Sequence, residues 1–428
     1  MGTIFISKAG NDGNAGTSEG APVKTIFAAF RKAVENDTIR ILDSNTYEPG
    51  LDADGGRMRL SESLNFAAAD GQTPTFAGTG ARASSAVTKS GFNGVNCGVG
   101  KVITFQGITF DDFRSTNNTI VTTDLATNPP TVQYTDCTFT HMNGSPIFVD
   151  PGPATSDVPN LLDRCDIRDG CNDKIIDDII GTEHMVIQNC IFHNTASSTT
   201  QEYISMGDNS SADTIIRNCT LLVDRVSGVE VVRMGVVENI IIKNVTTASV
   251  SGGAQNVDSN LVGIDARISY SNNCVNGSFG NSAGKGAIQD NTGAPVNATD
   301  GGNNITSDPL FVNQSSVPQG LKLQSGSPCI ATGKTISAVT VDFEGASRSG
   351  IPYDIGAFQI IPLIFTADGS ETFNKKFGPN SFLIHGTANK LATRGFNDSK
   401  DNRQAPFSVT VAGPPTIRER TTPYKNET

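Results

Sequence analysis

The feature that most narrows the fold of this chain is a repeat. Short apolar strands recur, each followed by a polar or small residue and then by a Cys or an aliphatic residue. They are "VITFQGITF" (102–110), "VQYTDCTF" (132–139), "LLDRCDI" (161–167), "MVIQNCIF" (185–192), "TIIRNCTL" (214–221), "NIIIKNVTT" (239–247) and "ISYSNNCV" (268–275). Aligned on Gly107, Asp136, Arg164, Asn189, Asn218, Asn244 and Asn273, they step by 29, 28, 25, 29, 26 and 29 residues. A constant period of roughly 27 residues is the mark of a solenoid. Each unit offers one or two strands of period two and a turn-rich remainder. None carries the amphipathic helix that a βαβ crossover requires. One coil per unit, with strands stacked in parallel about 4.8 Å apart, meets these conditions. The expected fold is all-β: a right-handed parallel β-helix.

Composition agrees. Gly (44 residues) is abundant and charged residues make up only 18% of a 428-residue chain, as turns and short strands require. The formal net charge of −11 repels phosphate backbones and anionic lipid, so neither nucleic acid nor a membrane surface is an expected partner. No apolar run approaches the roughly 20 residues of a bilayer span. Met1-Gly2-Thr3 leads into a strand with no basic or apolar leader region, so a secretory signal is not expected.

The position after each alignment residue holds Ile108, Cys137, Cys165, Cys190, Cys219, Val245 and Cys274. Such a column reads as an inward ladder of small apolar groups, with the cysteines as free buried thiols. Ligand spacing of the CxxC type is missing, so no metal is assigned to them. The Asn, Asp or Arg before each is expected at the bend between two strands, where stacked polar side chains can bond coil to coil.

A solenoid needs its ends covered. "VKTIFAAFRKAVEN" (23–36) places Ile26, Phe27, Phe30, Ala33 and Val34 at helical spacing, with Thr25 as N-cap. This predicts a helix capping the N-terminal end. The stretch "IFISKAGNDGNAGTSEGAPVKTIFAAF…NDTIRILDSNTY" resembles the opening of the parallel β-helix proteins of the pectate-lyase-like superfamily, with Asn36 where a Gly is usual. "SDPLFVN" (307–313), "LKLQSGSPCIATGK" (321–334) and "DFEGASRSGIPYDIGAFQ" (342–359) resemble the closing segment of its choice-of-anchor β-helix subgroup. The resemblance spans residues 3 to 359 and implies the fold far more specifically than any function. Three parts follow: a cap (1–50), the β-helix with its closing segment (51–359), and a small C-terminal β appendage with an extended tail (360–428), read as an attachment segment.

Enzymes of the resembled fold act in a groove on residues just after a strand. Four to seven positions after the alignment residues lie Asp111, Asp112, Arg114, His141, Asn143, Arg168, Asp169, His193, Asn194, Asp224 and Arg225. Asp112, His141, Asp169 and His193 are the candidate catalytic groups, for acid–base work or proton abstraction beside a uronate. Asp111, Arg114, Arg168, Asn194 and Arg225 are the candidate binding groups. Asp163, Asp166, Asp169 and Asp173 form an oxygen-rich set that would suit Ca²⁺, the one cofactor considered. The "NDG" (11–13) and "DADGG" (52–56) stretches complete no calcium-loop pattern and read as turns. The N-T-D…D-D…G-H-G…R-I-K series of polygalacturonases is absent, and no Trp is available to stack on a sugar.

The leading expectation is therefore a phage virion component (head decoration, fibre or tail part) that uses the β-helix as a scaffold and contacts host glycans. Its partners would be other virion proteins, through residues 360–428, and surface polysaccharide. The virion surface would be its location, with the extracellular space or a cell surface as alternatives. Free thiols suit assembly in a reducing cytoplasm. The alternatives are a polysaccharide lyase or glycoside hydrolase working in the groove, and a non-catalytic bacterial adhesin. Trimers are common among phage β-helices, which makes a homotrimer an assembly to test, although no heptad stalk enforces one.

Overall fold

The computed structural model describes residues 1–48, 58–77, 92–93, 97, 100–113, 120–122, 130–141, 148–149, 158–168, 176–178, 184–193, 204–206, 214–223, 229–231, 235–244, 257–258, 268–276, 299–348, 352–360, 382–387 and 390–395. The chain divides into two units, Met1–Ile360 and Ile361–Thr428.

The first unit is a right-handed parallel β-helix. Among the described residues its first sheet has 11 strands and its second has 9. A third face carries sheets of 3 and 5 strands. Sequence order within each sheet skips regularly, because each coil contributes one strand to each face. The coil that begins at Val102–Gln106 turns through Thr109–Asp111 to Val121–Thr122. The next coil repeats this with Thr131–Thr135, Thr138–Thr140 and Phe148–Val149.

The corner between the first and second sheets explains the repeat. Gly107, Asp136, Arg164, Asn189 and Asn218 all have positive φ, between 53° and 70°. This left-handed residue bends the chain, and Gly, Asn and Asp adopt it at least cost. In the last two coils the corner is Asn239 and Asn272 rather than the expected Asn244 and Asn273. The step from Asn218 to Asn239 is only 21 residues, which a near-constant period cannot anticipate. The inward column is corrected accordingly. It holds Ile108, Cys137, Cys165, Cys190, Cys219 and Ile240, all at most 1% exposed, and then Asn273. Val245 lies outside the described residues, and Cys274 falls one place further on.

The thiols fill the corner as small hydrophobes that also close it. Cys137, Cys190 and Cys219 donate to the carbonyls of Thr135, Gln188 and Arg217, 3.1–3.3 Å away. All seven described cysteines are free. Asn273 takes the place of a thiol with a better hydrogen-bonding group. Its side chain accepts from Ile240 N and donates to Val237 O. At the corner itself, polar side chains bond coil to coil, as the stacked pattern suggests. Arg164 forms a two-pronged pair with Asp136 at 2.7 and 3.0 Å and also reaches Asp163. Asn239 donates to Asn218 at 3.1 Å.

Aromatic rings fill the N-terminal coils. Phe66, Phe105 and Tyr134 stack along the first sheet at 5.1 and 5.3 Å, and Phe110 stacks on Phe139 at 5.3 Å along the second. The two stacks meet edge to face, the favoured geometry for such pairs. Every one of these rings is fully buried.

The N-terminal cap is present but shorter than the periodicity suggests. The helix spans only Ile26–Phe30, with the Thr25 hydroxyl accepting from Ala28 N at 3.1 Å. Ile26 and Ala29 enter the core and Phe27, Phe30 and Ala33 pack against it, whereas Val34 is 63% exposed. The helix ends because Asp37 accepts from Val34 N and Gly2 N, turning the chain into the next strand. Asn36 has φ 64°, so Asn stands where a Gly is usual because both adopt that conformation. The "NDG" turn has a structural task. Asn11 accepts from Gly13 N, and the Asp12 carboxylate accepts from Lys24 N, Thr25 N and the Thr25 hydroxyl, fixing the entry to the helix. "DADGG" lies outside the described residues.

The closing segment runs back along the outside of the helix. Phe311, Leu321, Leu323, Cys329, Ile355, Ala357 and Phe358 pack on Ile191, Leu222, Ile241 and Cys274, which face outward from the second sheet. The roof is bonded as well as packed. Asn239 exchanges two 2.7 Å hydrogen bonds with Lys334, and Lys243 pairs with Asp308 at 2.6 Å. Within the roof, the buried Arg348 guanidinium donates to the carbonyls of Asp354, Gly356 and Ala357 and to the Gln359 side chain. In the second unit, Phe382–Thr387 and Lys390–Gly395 form an antiparallel pair. "APFSVTVAG" and the polar tail lie outside the described residues.

Candidate functional site

The outside of the second sheet is read from its alternation. After the corner residue and the inward column come an outward, an inward and an outward position, and then a second corner. The first outward row runs Thr75, Thr109, Thr138, Asp166, Ile191, Thr220, Ile241, Cys274. The second runs Ala77, Asp111, Thr140, Arg168, His193, Leu222, Lys243, Asn276 in the same register.

Both rows change character along the axis. From Ile191 and Leu222 onward they become apolar or are claimed by the roof. Lys243 is held by Asp308, and Asn276 donates to Thr306 O. Before that they are hydroxyls, carboxylates, a guanidinium and an imidazole. The described outer face is thus a polar strip from Thr75 to His193 with the closing segment at its C-terminal end.

The expected site residues fall on this strip at two different levels. Asp111, Arg168 and His193 share the second outward row: Asp111 lies two coils from Arg168, with Thr140 between them, and Arg168 one coil from His193, each coil rising about 4.8 Å. Asp112 and His141 lie one residue later, at the second corner, with φ 57° and 53°. Asp112 N donates to Thr140 O at 3.1 Å, so one corner is tied to the strand of the next coil. Because this corner position has a left-handed backbone, its side chain leaves the coil in a different direction from the strand rows. Of the described candidate catalytic residues, Asp112 and His141 therefore do not share a column with His193. Asp169, Arg114, Asn194, Asn143, Asp224 and Arg225 lie outside the described residues.

The contact that joins the two levels is between Asp111 and His141. His141 Nδ1 is 2.7 Å from Asp111 Oδ1, with the Thr140 hydroxyl 3.3 Å from the same nitrogen. The imidazole side chain is 48% exposed and the carboxylate 36%, so the pair stands at the surface. One coil from Thr140 is Arg168, whose guanidinium lies 3.5 Å from Asp166 and is itself half exposed. Asp166, by contrast, is 6% exposed although it faces outward. The sequence pattern places it only among the candidate calcium ligands. Its outward position follows from its place two residues past the Arg164 corner, nearer the corner than the other candidate site residues.

Two of the four residues in the calcium set, Asp163 and Asp166, are described. Asp163 is occupied by Arg164 and Asn189 on the first sheet, while Asp166 is across the corner on the second. Among the described residues no group of three or more His, Cys, Asp or Glu could hold a metal ion. Asp169 and Asp173 are outside them. Among the described residues the exposed large hydrophobic ones are Met1, Val34, Val158, Leu310 and Val312, none of them aromatic.

No protein-family profile matches the sequence, and no curated protein does. Among solved structures, pectate lyase Pel9A aligns with a TM-score of 0.48 at 15% identity, over 84% of this chain and 96% of its own. A rhamnogalacturonan lyase aligns with a TM-score of 0.43 at 13% identity, over 81% of this chain and 99% of its own.

Proposed function

We propose that this protein is a rigid, surface-presented β-helix scaffold that binds polysaccharide along the polar strip from Thr75 to His193 without cleaving it. The observation that carries this reading is the fixed register of that strip. Threonines, the Asp111–His141 pair, Arg168 and His193 recur at the rise of one coil. An extended polysaccharide offers hydroxyls and carboxylates on a similar repeat, and strands hold their complements without ordering cost at binding. Arg168 and the histidines favour acidic sugars, because a guanidinium matches a carboxylate in shape and charge. Such a protein would serve a virion surface, as expected from the sequence, or a cell surface. Residues 360–428 would then be the attachment segment. No metal is needed for this reading.

A second reading is a lyase or hydrolase acting on the same strip. The Asp111–His141 contact favours it, since a carboxylate that orients an imidazole is a general-base arrangement. One experiment separates the two. The full chain is titrated with neutral and acidic polysaccharides, binding is measured by calorimetry, and the same mixtures are followed for unsaturated or reducing-end products. The scaffold reading expects saturable binding to acidic polymers, no product, and at least a tenfold loss in Arg168→Gln and His141→Ala. Product that vanishes in His141→Ala establishes the enzyme instead. Absence of binding across the panel rejects both.

A further inference from the structure

Two of the free thiols belong to parts of the molecule that are built separately. Cys274 begins the second-sheet strand Cys274–Asn276 and faces outward, while Cys329 lies in the closing segment above it. Both are fully buried and share one apolar cluster with Ile241 and Ile355. The Cys329 side chain beside it pushes the Cys274 thiol up, and Cys274 Sγ donates to Ser307 O at 3.3 Å. The backbone is pinned on both sides. Cys274 bridges to Ile305, Ile355 N donates to Cys329 O at 2.9 Å, and Cys329 N donates to Ser327 Oγ at 3.1 Å.

The other thiols differ in one respect. Cys137, Cys165, Cys190 and Cys219 stack between coils that continuous parallel ladders already join. A bond among them would add little constraint. A bond between Cys274 and Cys329 would tie the roof to the face it covers and close a long loop, where a cross-link restricts the unfolded chain most.

We propose that Cys274 and Cys329 form an oxidisable staple that locks the closing segment onto the last coils of the β-helix. A small-molecule disulfide of the glutathione class supplies the oxidising equivalents. One cysteine thiolate attacks its S–S bond, which breaks and releases the first glutathione thiolate. The second cysteine thiolate then displaces the other glutathione. An Sγ–Sγ bond forms, and the two protons lost by the cysteines are taken up by the two glutathione thiolates. Because both thiols are buried, exchange takes place as the segment docks during folding or while it is transiently lifted.

The test uses the full chain, denatured and refolded in a glutathione redox buffer beside a sample kept in reductant, then blocked with an alkylating reagent and digested with trypsin without reduction. Trypsin places Cys274 in the peptide 268–285 and Cys329 in 323–334, each with a single cysteine. The staple predicts a covalent 268–285/323–334 pair in the oxidised sample. It also predicts a thermal midpoint several degrees higher that returns to the reduced value on adding reductant, with no such shift in Cys329→Ser. Recovery of both peptides alkylated after oxidative refolding overturns the proposal, and so does a pattern in which they are linked to other cysteines instead.

Discussion

The main-chain N–H of Ala357 donates to the side-chain hydroxyl of Thr220, 3.0 Å away across 137 positions of sequence. Thr220 faces outward from the second sheet, and Ala357 sits in the last strap of the closing segment. One residue earlier, Gly356 has φ 104°, and a Cβ there would stand 2.6 Å from Ile241 Cδ1. At this φ any residue but glycine strains the backbone, whatever room Ile241 can give. Gly356→Ala should therefore destabilise the first unit by about 1–3 kcal/mol, chiefly from backbone strain. Urea unfolding followed by circular dichroism measures it, and Gly326→Ala, where a Cβ would meet nothing within 4 Å, is the control.

Arg348 is the tie within that roof. Burial pulls its pKa down to about 10, but it remains charged at neutral pH and is bonded to three carbonyls and Gln359. Arg348→Met keeps much of the volume and removes the donor to the Asp354 and Gly356 carbonyls, while Ala357 O keeps Phe343 N and Gln359 Oε1 keeps Asp354 N. The expected loss is about 3–5 kcal/mol, because unpaired buried polar groups are costly. Hydrogen exchange should show increased exposure in residues 305–360 before the first sheet is affected.

The aromatic interior gives a second stability test. Phe105 is fully buried and touches Phe66, Phe92, Phe110 and Tyr134. Phe105→Ala should cost about 3–5 kcal/mol and Phe105→Leu markedly less, the difference reporting how far the stack can close over the gap. Equal costs for the two would show that ring stacking, rather than volume, sets the energy.

Acid should open the N-terminal cap. The Gly2 and Val34 N–H groups hold the Asp37 carboxyl below its usual range. Burial acts against Asp12, yet the Thr25 and Lys24 donors still lower it. Glu35, set beside Glu62 and paired with Lys101, which bonds both carboxylates, is lowered to about 2. A carboxyl lowered in the folded state stabilises fully above the unfolded pKa, near about 4, and loses that contribution as pH falls toward the folded value. Exchange protection at Thr3–Ile6 and Ile26–Phe30 should therefore fall between about pH 4 and pH 2. The inner strand Met185–Gln188 should hold over that window. Uniform loss at all three segments would contradict the assignment.

Much of this architecture was legible in the sequence because one physical event recurs at each coil. A left-handed corner, an inward small residue and an alternating strand leave a signature that spacing alone reveals. Spacing failed where that event was displaced, at Asn239 and Asn272, since a short coil shifts the register without altering composition. The helix was overextended because Val34 continues the apolar period, while what ends the helix is Asp37 capturing Val34 N–H, a contact that periodicity does not encode. The roof was recognisable as a segment, but its seat was not. Ile191, Leu222 and Ile241 read as ordinary strand residues, and only the register shows that they point outward. The site was legible in part. Asp111, Arg168 and His193 share a row, but Asp112 and His141 belong to the second corner, which the broad window merged with it.

The central claim is that the open polar strip, rather than any other face, receives polysaccharide. Hydrogen-exchange mass spectrometry of the full chain with and without a saturating acidic oligosaccharide tests it most directly. The account predicts protection at Thr109–Asp111, Thr138–Thr140 and Asp166–Arg168, with no change at Ile241–Asn244 beneath the roof, and loss of the protection in His141→Ala. Protection confined to the first sheet, or none at saturation, would contradict it.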